Sequence, residues 1–91
     1  MLHLVFELSS PTLTRLQNQS NVIFLNNAVR GLVKNSIWQN NIAILTPCYV
    51  LAEDLTFRGI EMDLLIDGIT PIDYAQFVQL TIENTPIQTW N

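Results

Sequence analysis

Reactive and basic side chains are scarce in this chain. It has one cysteine, Cys48, one histidine, His3, and four Lys and Arg residues against eight Asp and Glu. A single thiol excludes an internal disulfide and fits a reducing compartment. One histidine and one cysteine do not make a metal-ligand constellation. Gly59 and Gly68 stand too far apart to form a phosphate-cradling loop. No run of about eighteen apolar residues is present, so no membrane-spanning helix is expected. The opening MLHLVFELSS has neither a basic leader nor a small-residue cleavage site, which predicts a cytoplasmic protein. Without such a leader, Asn18-Gln19-Ser20 matches a glycosylation acceptor by chance.

The few charges are unevenly placed. Up to Thr46, Arg15, Arg30 and Lys34 face Glu7, a balance of +2; from Pro47 onward, Arg58 faces Glu53, Asp54, Glu61, Asp63, Asp67, Asp73 and Glu83, a balance of −6, for a net −4. Phosphate-backbone binding needs clustered cations that displace counterions, and scattered basic residues on an acidic chain do not supply them. Direct nucleic-acid binding is therefore not expected.

What the chain has in quantity is apolar surface. Hydrophobic residues make up 48% of it and charged residues 13%, about half the roughly 25% usual in soluble domains. Its length suits one domain, spanning 1–91, with a thin core. Part of the apolar surplus must then lie outside, which points to a subunit covered by partners, or else to poor solubility.

Strand and helix patterns alternate. LHLVFEL reads as a strand, and Ser10 as the N-cap of a short helix from Pro11 to Asn18 with Leu13 and Leu16 inward. Asn21 to Leu25 reads as a second strand. Asn26-Asn27 then caps a helix on which Val29, Leu32, Val33 and Ile37 recur at helical spacing. Proline is excluded from central ladders, so the third strand falls at Cys48 to Leu51, beyond Pro47, with Ile42 to Leu45 as its alternative. AEDLTFRG predicts a short helix with acidic residues at its positive end and Gly59 just past its C-terminus. A strand within Ile69 to Ile72 follows. Asp73 and Gln76 form a capping box for a helix whose Tyr74, Phe77, Val78, Thr81 and Ile82 share one face, expected to pack the domain's own sheet. TPIQTW adds a last strand. The whole predicts an α/β fold with a small, mostly parallel sheet flanked by helices.

Candidate chemistry is sparse. Cys48 is the one strong nucleophile candidate, but no cation, histidine or helix N-terminus nearby in sequence would activate it, and a strand cysteine is usually a small buried hydrophobe. His3 reads as a structural histidine. Asp63 and Asp67 read as solvated, and Trp38 and Trp90 as core or interface aromatics. These residues predict no cofactor, no metal and no catalytic group, with Cys48 a weak candidate.

Several stretches resemble one family. Met1-Leu2-His3, Ser10-Pro11, YVLAEDLTFRGI (Tyr49 to Ile60), ITPIDYAQFVQLT (Ile69 to Thr81) and Trp90 are similar to the TusB/DsrH family of sulfur-relay proteins, with IDYAQFVQLT the most specific element. The resemblance implies a three-layer fold of the DsrE/F/H type in a heterohexamer with TusC-like and TusD-like subunits. It implies that persulfide sulfur passes from a TusA-like carrier to a TusD-like cysteine and on through a TusE-like carrier, towards 2-thiolation of the tRNA wobble uridine. The TusB-like subunit is then not an enzyme. In the DsrH branch, which belongs to sulfur oxidation, a cysteine occurs in the first helix region. Residues 12–21 here contain none, and Asn27-Ala28 replaces that family's Asp-Gly. Both departures favour a structural subunit; the alternatives are a carrier using a Cys48 persulfide and a DsrH-like sulfur-oxidation subunit.

Overall fold

The computed structural model describes residues 1–91. Strands β1 (Leu2–Val5), β2 (Val22–Phe24), β3 (Cys48–Leu51), β4 (Ile69–Ile72) and β5 (Ile87–Trp90) form one sheet in the order β4-β3-β2-β1-β5. Every pairing is parallel. Helices α1 (Ser10–Arg15), α2 (Gln39–Ala43), α3 (Ala52–Phe57) and α4 (Tyr74–Glu83) connect them, with 3₁₀ turns at Asn26–Gly31 and Met62–Leu64. No helix is long and apolar enough to cross a membrane.

Alternation along the strands sorts the core into two layers. Val5, Val22, Phe24, Cys48, Val50 and Ile69 join a cluster of 16 buried residues that includes Leu13 of α1, Leu16 at its C-cap, Ile42 of α2 and Leu55 of α3. Leu2, Leu4, Ile23, Leu25, Leu51 and Ile72 face the other way and form a cluster of 6, against which Phe77 and Leu80 of α4 pack. Chain direction accounts for the split. The steps β1 to β2, β2 to β3 and β3 to β4 run one way across the sheet, and the step from β4 to β5 returns. Right-handed crossovers then put the first connections on one face and α4 on the other.

The strand positions match the sequence reading, and Thr46–Pro47, a cis peptide, leads into β3. Gly59, with φ 69°, ends α3 as expected. Three expectations need correction. First, Ser9 rather than Ser10 is the N-cap of α1: its backbone is extended and its hydroxyl accepts the Thr12 N–H at 3.3 Å. Second, no regular helix runs from Val29 to Ile37. The 3₁₀ turn stops at Gly31, where a Cβ would collide with Leu8 and come within 2.7 Å of Trp38 Cδ1. The chain then extends so that Lys34 N–H donates to Leu64 O at 2.8 Å and Leu32 O accepts Ile66 N–H at 2.9 Å. That pairing outweighs the helical spacing and leaves Ile37 86% exposed.

Third, the stripe on α4 does not face the sheet as a unit. The capping box forms: Asp73 Oδ1 accepts Gln76 N–H at 2.8 Å, and Gln76 Oε1 accepts Asp73 N–H at 2.9 Å. The helix is rotated so that half-buried Phe77, Leu80, Thr81 and Asn84 turn inward. Tyr74, Val78 and Ile82 are 57, 36 and 67% exposed. Asn84 helps to fix this rotation, accepting an Asn21 side-chain N–H at 3.1 Å from the start of β2. With only one helix on this layer, no neighbouring helix covers its flank.

Candidate functional site

Cys48 opens the interior strand β3 and has no exposed surface. Burial pushes its thiol up to about 12 from 9.0, because a thiolate there would lose its hydration. His3 faces the same layer. His3 pairs with Val22, and Ile23 pairs with Tyr49, so Cys48 stands level with Val22 two strands from His3. At roughly 4.8 Å per strand that is about 10 Å, far beyond hydrogen-bond reach. His3 is engaged elsewhere: its Nδ1 accepts the Trp90 indole N–H at 3.2 Å, which places its own proton on Nε2. Nε2 is buried and meets no protein acceptor. The two chemically versatile side chains are therefore close in the fold but not coupled.

The carboxylates are also dispersed. Asp63 is exposed in the second 3₁₀ turn, and Asp67 lies 3.8 Å from Lys34 on the surface. No three His, Cys, Asp or Glu side chains converge as a ligand set. Trp38 is half-buried beside Gly31, and Trp90 packs at the rim of the larger cluster.

The Glu53-to-Gly59 motif has a mechanical role that sequence reasoning did not assign. Asn26, two residues past the end of β2, adopts φ 57°. Asp54 Oδ2 accepts its backbone N–H at 2.7 Å, while Arg58 Nε donates to its carbonyl at 3.1 Å. Arg58 Nη2 reaches Asn26 Oδ1 at 3.3 Å and Asn27 Oδ1 at 2.9 Å, and Asn27 Nδ2 donates to Glu7 Oε1 at 2.6 Å. One turn of α3 thus grips the left-handed turn beyond β2, with Glu7 after β1 completing the chain of bonds. Spacing in the motif follows from this: Asp54 and Arg58, four apart, lie on one helix face.

Beside this grip lies a cleft of about 490 Å³ lined by Arg30, Val33, Phe57, Arg58 and Ile60. It is open to solvent, and Phe57 is 84% exposed. No local pattern marks it, because Arg30 and Arg58 come together only in the folded sheet, through the pairing of β2 with β3 and the grip on Asn26. No Asp or Glu lies within ion-pair distance of either guanidinium, since the one ion pair in the chain is Lys34–Asp67.

A five-stranded parallel sheet between unequal helical layers, with its one thiol sealed inside, defines a small three-layer α/β domain. The chain belongs to the DsrH-like family: the family model described as DsrH like protein matches residues 7–87. It is similar to Protein TusB of Buchnera aphidicola subsp. Baizongia pistaciae (strain Bp), with 30% identity over 76 residues covering 82% of this chain and 79% of that one. Protein TusB of Shigella flexneri is 45% identical over 42 residues, 46% of this chain and 43% of that one. The solved structure of a protein of unknown function from Methanobacterium thermoautotrophicum superposes with a TM-score of 0.69 at 16% identity, covering 97% of this chain and 95% of that chain. The last likeness supports the fold alone.

Proposed function

We propose that this chain is a non-catalytic subunit of a TusBCD-type sulfur-relay complex that supports 2-thiolation of the tRNA wobble uridine. One observation carries the non-catalytic part. In a member of a sulfur-relay family, the only thiol lies wholly buried in the sheet and is held protonated, so it reaches neither a donor nor an acceptor of sulfur. The chain then acts through neighbours: TusC-like and TusD-like subunits in a cytoplasmic heterohexamer, which receive sulfur from a TusA-like carrier and deliver it to a TusE-like one. The unpartnered stripe Tyr74, Val78 and Ile82 offers such neighbours an apolar surface. Direct contact with tRNA is not part of this reading.

Two measurements test it. Co-expression with TusC-like and TusD-like chains should give a heteromeric complex by native mass spectrometry, and a chain that stays monomeric beside both overturns the subunit role. Incubation of the folded chain with a persulfide donor should leave its intact mass unchanged. A gain of one sulfur atom that disappears in Cys48→Ser would establish a carrier instead.

A further inference from the structure

We infer that the cleft between Arg30 and Arg58 is a docking site for a carboxylate-bearing segment of a partner protein, whose neighbouring apolar side chain rests on Phe57, Val33 and Ile60. Only the partner's membership of a relay complex rests on the function proposed above; the chemistry of the cleft stands by itself.

Charge is the first ground. The chain is acidic overall and has four Lys and Arg side chains, of which Lys34 is already paired with Asp67. Two of the remaining three line this one cleft. Geometry is the second. A guanidinium has five N–H donors, and Arg58 directs Nε and Nη2 at Asn26 and Asn27, leaving its Nη1 donors without a protein acceptor. Its acceptors are neutral amide oxygens, so the group is immobilised with no carboxylate within ion-pair distance. A fixed fork beside a second free guanidinium suits a carboxylate, and the ordering cost of the fork is already met. Phe57 is the third ground: an aromatic ring 84% exposed beside two cations supplies the apolar contact that a lone ion would not use.

A phosphate ester fits less well. The cleft adjoins the C-terminal end of α3, whose dipole is negative, and Glu7 and Asp54 hydrogen-bond to the same Asn26-Asn27 turn that Arg58 holds. A single negative charge is better matched there than a dianion.

The test uses the whole chain, labelled with nitrogen-15 and titrated with the peptide acetyl-Leu-Asp-Phe-amide, with uridine monophosphate and with inorganic phosphate. The peptide should shift the amides of Arg30, Val33, Phe57, Arg58 and Ile60 saturably. Its affinity should fall at least about tenfold in Arg30→Glu and in Phe57→Ser and persist in Arg15→Glu, which changes a cation outside the cleft. Absence of peptide shifts, or tighter binding of either phosphate compound, overturns the proposal. So does a concentration-dependent homodimer abolished by Arg30→Glu, which would make the occupant a second copy. Peptide binding by a chain that assembles with no co-expressed subunit would leave the cleft standing and remove the subunit role. Normal assembly of both variants without any peptide shift would do the reverse.

Discussion

Trp90 donates its indole N–H to Nδ1 of His3 at 3.2 Å, joining residues 87 positions apart in the chain. The bond fastens the last strand to the first from the side-chain layer, where the backbone already pairs Leu2 with Ile87 and Val5 with Trp90. Removing one partner leaves the buried imidazole with neither ring nitrogen satisfied. Trp90→Phe should therefore destabilise the chain by about 1–3 kcal/mol in chemical denaturation. A double-mutant cycle with His3→Leu should return a coupling of about 0.5–1.5 kcal/mol. In the wild type, long-range nitrogen–proton spectra should place the imidazole proton on Nε2; a proton on Nδ1 would contradict the bond.

Cys48 provides a pH signature. Its thiol is pushed up to about 12 in the folded chain, against 9.0 for the free group. Between those values the folded state holds a proton that the unfolded state has lost. The stability conferred by burial is thus complete below about pH 9 and declines as pH rises towards about 12, by about 1.4 kcal/mol per unit. At neutral pH, Cys48→Ala should cost on the order of 1 kcal/mol. The gap between wild type and variant should close and then reverse in denaturation curves taken above about pH 10. A gap independent of pH would mean that the thiol ionises freely in the fold.

The rotation of α4 separates two kinds of substitution. Phe77 is half-buried, so Phe77→Ala should cost about 1–2 kcal/mol in the isolated chain, less than the roughly 3–5 kcal/mol of a fully buried phenylalanine. Serine at Tyr74, Val78 or Ile82 should change isolated-chain stability by no more than about 0.5 kcal/mol. The same serine variants should reduce the yield of heteromeric complex in native mass spectra. Equal effects of all four on denaturation would place the whole stripe against the sheet.

Arg58→Lys should behave like Arg58→Ala. An ammonium cannot span the Asn26 carbonyl and two side-chain amides as the planar fork does. Either change should lower stability by about 1–2 kcal/mol in thermal unfolding. Full rescue by lysine would show that charge alone, and not the fork, holds the turn.

Much of the fold was legible because local signals agreed with one another. Pro47 fixed the start of β3, Asp73 and Gln76 fixed the start of α4, and Gly59 fixed the end of α3. Local patterning failed where long-range contacts decide. Val29, Leu32, Val33 and Ile37 have helical spacing, yet backbone pairing of Leu32 and Lys34 with the chain before β4 breaks the helix. Periodicity shows that α4 has an apolar side but not how far that side is turned, which depends on having a single helix above the sheet. The arginine cleft was hidden for a related reason: its lining runs from Arg30 to Ile60, and the pairing of β2 with β3 together with the clasp on Asn26 brings those positions together.

The unequal layers, 16 buried residues against 6, also set an order of opening. The strand that closes the sheet beside β1 is delivered by α4; α4 packs on the thinner side and β5 is an exposed edge strand, so their amides should exchange with solvent sooner than those of β2 and β3. A neighbour seated on Tyr74, Val78 and Ile82 would slow that exchange without touching the main core. The unassembled chain would then carry a loosely latched end, and association would be felt first as protection of its final strand.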